Sequence, residues 1–361
     1  MSFPSPQPQP QPQPSPSSAS PRAPASAAGR VDAAIKAARF DPIPLLLVPA
    51  LIVVVAPLIG SVPTWVTLTV AGLAIGVTIF VIASGLTLVF GLMDVLNFGH
   101  GVFIAFGAYM ALSVFGPLAA WTQADAIGPN LAAIGLAMAV AMIAVALIGW
   151  AFERVIVRPV YGQHLKQILI TMGGMIIGEE LIKAIWGPQL AALPLPQALR
   201  GAWIIGDAAI ERYRVLAIVL GLVVFGALSW LLTRTKVGLL IRAGVQDREM
   251  VECLGYRIRR LFVGVFVAGS ALAGLGGVMW ALYQQGVVPQ IGAQVNVLLF
   301  IVIIIGGLGS TLGCFVGALL VGLMMNYTGF LLPKLALFSN ILLMVAVLLW
   351  RPQGLYPVAR R

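Results

Sequence analysis

Residues 65–92 read WVTLTVAGLAIGVTIFVIASGLTLVFGL, 28 positions without an acid, a base or a histidine. A helix needs about 20 apolar residues to cross the hydrocarbon core of a bilayer. The run exceeds that length, so it has room for one long span or for a span plus a broken continuation. Nine similar runs lie at 43–60, 99–115, 130–151, 167–186, 214–233, 261–283, 295–309, 311–332 and 335–350. The 295–309 run is short enough to be a half-helix or re-entrant segment. The expected fold class is all-α, a polytopic integral membrane bundle of about 8–10 transmembrane helices.

Composition agrees with that reading. Of 361 residues, 60% are hydrophobic and 9% charged, where a soluble domain carries roughly a quarter charged residues. The charges present cannot cover a water-soluble globule, but they suffice for the loops and ends of a membrane bundle. Forty glycines suit helices that approach closely inside lipid. The net charge of +10 would suggest nucleic acid if the bases formed one patch on a soluble surface. They lie between the apolar runs instead, so no nucleic-acid partner is expected.

Their placement orients the chain, because short cytoplasmic loops are enriched in Lys and Arg. With the N-terminus inside, 17 of the 22 basic residues fall inside. They are Arg22, Arg30, Lys36 and Arg39 before the first run, then Arg154, Arg158 and Lys166, then seven between 234 and 260, then Arg351, Arg360 and Arg361. Outside stand Arg200, Arg212, Arg214 and Lys334, with Lys183 near the outer end of a span. Both termini are expected to be cytoplasmic. Residues 1–42, rich in Pro, Gln, Ser and Ala, read as a disordered tail of polyproline II character without the pattern of a signal peptide. A permease-like body over 43–350 and a short tail over 351–361 complete the domain plan.

Four constellations stand out. The first runs from Gly85 to Tyr109 and contains Asp94, Asn97, Gly99, His100 and Gly101. Glycines around a histidine break the helical pattern between two apolar runs. Irregular backbone at membrane depth is tolerated only against protein or a water-filled cavity, so a transport path can run here. The same residues also fit a tight cytoplasmic turn facing water. The second is the basic loop, in which Asp247 to Gly255 reads as a short amphipathic helix. Met250, Val251 and Leu254 would form its apolar stripe, Gly255 its end, and the helix would either dock a partner or lie on the bilayer. The third, Glu179–Glu180–Lys183, is spaced for local neutralisation on one helix face. The fourth, Gly306–Gly307–Leu308–Gly309–Ser310 with Gly313 and Gly317, suits close packing. It is no phosphate loop, because no Gly-Lys dipeptide occurs in the chain. Two cysteines, Cys253 and Cys314, and two histidines at unsuitable spacing give neither a disulfide framework nor a metal site. No catalytic set is apparent.

Together these motifs resemble the membrane permeases of branched-chain amino acid ABC importers, of the LivH type. The segment Asn97–Phe98–Gly99–His100–Gly101, the pair Phe152–Glu153–Arg154 and Arg158–Pro159–Val160 (an inside loop in the family), the Arg248–Gly255 region and the Gly306–Ser310 turn occur in the family's order. Three features depart from it. The tail and the 43–60 run extend beyond a LivH-like start, Gly99 stands where alanine is common, and Arg351–Leu355 is closer to the ending of the LivM-type partner. The resemblance implies an importer permease in the bacterial inner membrane, without enzyme activity or a cofactor of its own, ATP being bound by partner subunits only. Its implied partners are a second, LivM-like permease, two cytoplasmic ABC ATPases, a periplasmic substrate-binding protein and the lipid bilayer. Arg248, Glu249, Glu252, Leu254 and Gly255 would couple to an ATPase, and the Asp94–Gly101 segment would line the path or support it. Urea and short amides are the runner-up substrates. An ion-coupled secondary transporter would instead use Asp94, His100 or the Glu179–Glu180 pair.

Overall fold

The computed structural model describes residues 41–93, 95, 97–246 and 248–357. The expected N-terminal tail therefore lies outside the described residues apart from its last positions. From Pro42 onward the chain forms one compact unit.

Every apolar run becomes a helix. In order they are α1 (Ile43–Ile59), α2 (Val62–Met93), α3 (His100–Phe115), α4 (Ile127–Phe152), α5 (His164–Trp186) and α6 (Arg212–Arg234). Two short helices follow, α7 (Lys236–Gln246) and α8 (Arg248–Cys253), and then α9 (Ile258–Gln284), α10 (Ile291–Gly306), α11 (Thr311–Leu331) and α12 (Ala336–Trp350). Among the described residues, five helical stretches are long and apolar enough to cross a membrane: Val62–Gly91, Ile127–Val160, Arg212–Arg234, Ile258–Gln284 and Thr311–Leu331.

Two expectations about helix ends are settled. The 65–92 run is not a span with a broken continuation, because α2 is one helix of 32 residues. Its glycines are contact points, not breaks. Gly72 and Gly76 meet Gly322 of α11, and Gly85 meets Gly269 of α9, backbone against backbone. The cost of glycine in a helix, roughly 0.5–1 kcal/mol, is offset by the approach it permits. Likewise 152–160 is no loop: α4 continues through a π-helical turn (Glu153–Val157) and a 3-10 turn (Arg158–Val160).

Helices α2, α3, α9, α10 and α11 form the centre. Gly101 of α3 touches Gly292 of α10, and Gly107 touches Gly274 of α9. The 16 residues of α3, buried on nearly all sides, rise only about 24 Å at 1.5 Å per residue. An inner helix meets protein instead of hydrocarbon, so it does not need the full thickness. The outer helices expose Ile143, Leu147, Leu169, Ile176, Val223, Trp230, Leu342 and Leu349. A surface of that kind suits lipid and not water.

Contacts between helix ends sort the connections into two groups. Gly91 lies on Gly309, Phe152 lies over Gly99 and Gly174, and Gly244 lies near Ile258. One end of the bundle therefore collects 97–99, 153–163, 235–246, 248–257 and 307–310. The C-terminal segment joins it: the amides of Leu355 and Tyr356 donate to the carbonyls of Ile305 and Gly306 at 2.8 and 3.0 Å, satisfying the end of α10. The opposite end carries two small antiparallel pairs. These are β1 (Ala191–Ala192) with β4 (Gly286–Val287), and β2 (Ala202–Ile205) with β3 (Ala208–Glu211).

Candidate functional site

The break between α2 and α3 is a turn closed by its own side chain. Asn97 Oδ1 accepts the Gly99 amide at 3.0 Å, the local bond by which Asn favours turns. The Phe98 backbone is then claimed by two other helices. Its amide donates to Thr171 Oγ1 of α5 at 3.2 Å, and its carbonyl accepts from Asn296 Nδ2 of α10 at 2.9 Å. The Phe98 ring stacks on Phe300 at 4.5 Å. A β-carbon at Gly99 would stand 2.7 Å from Phe152 and 2.8 Å from the Thr171 carbonyl, so only glycine fits this crossing.

His100 opens α3 and points back at α2, with Nε2 at 3.3 Å from the Ile82 carbonyl. A carbonyl only accepts, so Nε2 carries the proton and Nδ1 is left as an acceptor. Asn97 is 1% exposed and His100 0%, which removes the reading of these residues as a water-facing turn. Asn97 Nδ2, His100 Nδ1, Gln167 Oε1 and Asn296 Oδ1 make no hydrogen bond among the described residues. The expected path residues Asn97, Gly99, His100 and Gly101 are thus brought together, buried, beside two residues the sequence reading missed, Thr171 and Asn296, with the buried Gln167 one helical turn before Thr171 on α5. Their signal was a polar side chain inside an otherwise apolar run. Asp94 lies outside the described residues.

The second candidate region differs from its expected form. Of the single amphipathic helix expected from Asp247 to Gly255, α8 covers Arg248–Cys253, after a preceding helix α7 that the loop reading overlooked, and Asp247 itself lies outside the described residues. The Thr235 hydroxyl accepts the Gly238 amide at 3.2 Å, and Gly238, Ile241 and Gly244 form the inward face of α7. The apolar stripe is split. Val251 is 4% exposed, whereas Leu254 is 70% exposed with Met250 beside it. Val251 is packed inward, while Met250 and Leu254, the latter just past the end of α8, stand at the surface. Glu249 and Glu252 are exposed as well, and nothing is described of the Arg248 side chain. Gly255 ends the helix at φ +86°. The Gly255 amide donates to Glu252 at 2.9 Å and the Tyr256 amide to Val251 at 3.3 Å, a glycine-terminated helix end of the Schellman type.

Near the far end of α5, Lys183 Nζ lies 3.0 Å from Glu179 and 2.8 Å from Glu180, so one lysine offsets one of the two acidic charges locally. That supports the structural reading of these charges.

Residues 68–349 match the family described as branched-chain amino acid transport system / permease component. The chain belongs to this family. The permease is 30% identical over 297 residues to the high-affinity branched-chain amino acid transport system permease protein BraD of Pseudomonas aeruginosa, covering 79% of this chain and 94% of BraD. It is 27% identical over 291 residues to LivH of Escherichia coli K12, covering 79% of this chain and 92% of LivH. With LivM of the same organism the identity is 27% over 307 residues, covering 78% of this chain and 68% of LivM. No solved structure matches. The family match begins after α1, so the first apolar helix stands outside it, in line with the departure noted in the sequence. The permease is accordingly a multi-pass membrane protein of a transport system.

Proposed function

We propose that this permease is the LivH-type subunit of an ABC importer that moves branched-chain amino acids across the inner membrane, and that α8 receives the motion of an ATPase. The similarity to LivH over most of that protein's length supports the subunit position. What supports the coupling role is one observation: α8 is anchored by the buried Val251 while Leu254 and Glu249 face outward at the basic end of the bundle. In this reading that end is cytoplasmic. A second permease completes the path, a periplasmic binding protein delivers substrate, and two ATPases bind ATP, which this chain does not hold itself.

The buried break has a matching role. It ties α2, α3, α5 and α10 to one turn, so a movement of any of these helices acts on Phe98. Three polar atoms without partners among the described residues, Asn97 Nδ2, His100 Nδ1 and Asn296 Oδ1, make that turn a place for rearrangement and for brief contact with a zwitterionic substrate. Tight binding is not required of it, because the binding protein selects the cargo.

Reconstitution of this chain with its partner subunits in proteoliposomes tests the reading. Uptake of labelled leucine is expected with ATP supplied on the ATPase side, and no uptake with an ion gradient alone. Gradient-driven uptake without ATP contradicts the importer.

A further inference from the structure

A cleft of ≈ 430 Å³ opens at the basic end between α4 and α9, lined by Trp150, Glu153, Arg154, Arg158, Arg259 and Arg260 among others. Four arginines line it, and none forms an ion pair among the described residues. Glu153, the acid in the wall, is buried and accepts the Tyr161 hydroxyl at 3.1 Å. Arg259 and Arg260 sit in the first turn of α9, where the helix dipole is positive and disfavours them. Arg154 lies over the Trp150 ring at 5.9 Å. The cleft therefore concentrates positive charge that the protein itself does not neutralise.

Its position says what neutralises it. Ile143, Leu147 and Trp150 are all exposed on α4, at helical spacing that leads straight to Arg154. On the facing helix Gly264 has open space where a β-carbon would be. The two helices pack directly, Gly149 against Ser270. An apolar seam thus runs up the side of the bundle, passes the Trp150 indole, a side chain enriched at membrane–water interfaces, and ends in the arginines. Acyl chains fit the seam and a phosphodiester fits the guanidinium fork.

We propose that this cleft binds the headgroup of an anionic phospholipid, whose chains lie along the α4–α9 seam. The proposal needs only that the chain sits in a membrane, not the direction or cargo of transport. A docked acidic protein surface would not require the seam, and a free phosphate would not require Trp150.

The test is native mass spectrometry of the purified full-length permease, titrated with phosphatidylglycerol, with phosphatidylcholine of the same chains, and with inorganic phosphate. Wild type is expected to retain phosphatidylglycerol with a preference of about tenfold or more, given the attraction of each basic side chain to an anionic surface. The variant Arg154→Gln/Arg158→Gln/Arg259→Gln/Arg260→Gln should level that preference. The corresponding four Arg→Lys changes should keep most of it, and Arg154→Gln/Arg260→Gln, at two exposed positions, should lose part of it with the elution profile unchanged. Equal lipid retention in wild type and the four-glutamine variant overturns the proposal. So does displacement of the lipid by inorganic phosphate at equal concentration, which marks a free-anion site. Loss of ATPase co-purification in the variant, with lipid preference intact, would mark a protein interface and overturn it equally.

Discussion

Asn296 of α10 donates its side-chain amide to the backbone carbonyl of Phe98 at 2.9 Å, joining positions 198 residues apart in the chain. The bond closes the break between α2 and α3 from the side that α5 does not reach. It makes the irregular turn a tertiary structure and not a local one. Asn296→Ala leaves the Phe98 carbonyl buried without its partner, at a cost of about 1–3 kcal/mol. The unfolding midpoint of the purified permease in detergent should fall accordingly, and Thr171→Val should act in the same direction through the Phe98 amide. An unchanged midpoint in both would remove the turn from the list of structural determinants.

Two glycines separate close packing from mere composition. A β-carbon at Gly101 would press on the backbone of Gly292, at 2.7 Å from its carbonyl carbon, whereas one at Gly173 meets nothing within 4 Å. Gly101→Ala should therefore destabilise by roughly 1–3 kcal/mol, as overpacking does. Gly173→Ala should stabilise by about 0.4–1 kcal/mol through the unfolded chain. Thermal unfolding of the two variants side by side checks the contrast.

For His100 the polar partner is the Ile82 carbonyl, a protein group. His100→Ala is expected to reduce the rate of transport several-fold, since buried large-to-small changes cost about 2–5 kcal/mol, while leaving the order of preference among leucine, isoleucine and valine unaltered. Competition uptake assays read that order. A switched preference at undiminished rate would make His100 a selectivity residue.

The C-terminal segment serves as the cap of α10. A chain ending at Arg351 loses the amides that Leu355 and Tyr356 give to Ile305 and Gly306. Hydrogen exchange over 300–306 should then quicken by roughly tenfold, the equivalent of one net hydrogen bond. Unchanged protection would mean that the Gly307 turn holds the helix end alone.

The helical framework was legible in the sequence because apolar length is a local property: each of the ten runs became a helix, and Gly255 marked a helix end as its conformational freedom suggests. The inward burial of Asn97 and His100 was not legible. Whether an Asn-Phe-Gly-His turn faces water or protein depends on Thr171 and Asn296, which reach it only after α5 and α10 have packed. Similarly, the length of 65–92 alone does not decide between one long helix and an interrupted one. The glycines are explained by Gly269 and Gly322, on helices far along the chain. Of the helix expected over 247–255, the Arg248–Cys253 core and the Gly255 end are present, but the apolar stripe is divided: Val251 is buried while Met250 and Leu254 are exposed, a difference set by what packs against α8 and not by its own sequence.

The coupling role of α8 is tested most directly by substrate-stimulated ATP hydrolysis in the reconstituted importer carrying Glu249→Lys or Gly255→Pro in this chain. Glu249 is exposed, so its charge reversal should leave insertion and folding intact. Proline at 255 cannot adopt the φ of +86° that ends α8. The account expects both variants to reach the membrane at wild-type levels and to lose stimulation by the loaded binding protein. Normal stimulation in both would contradict it.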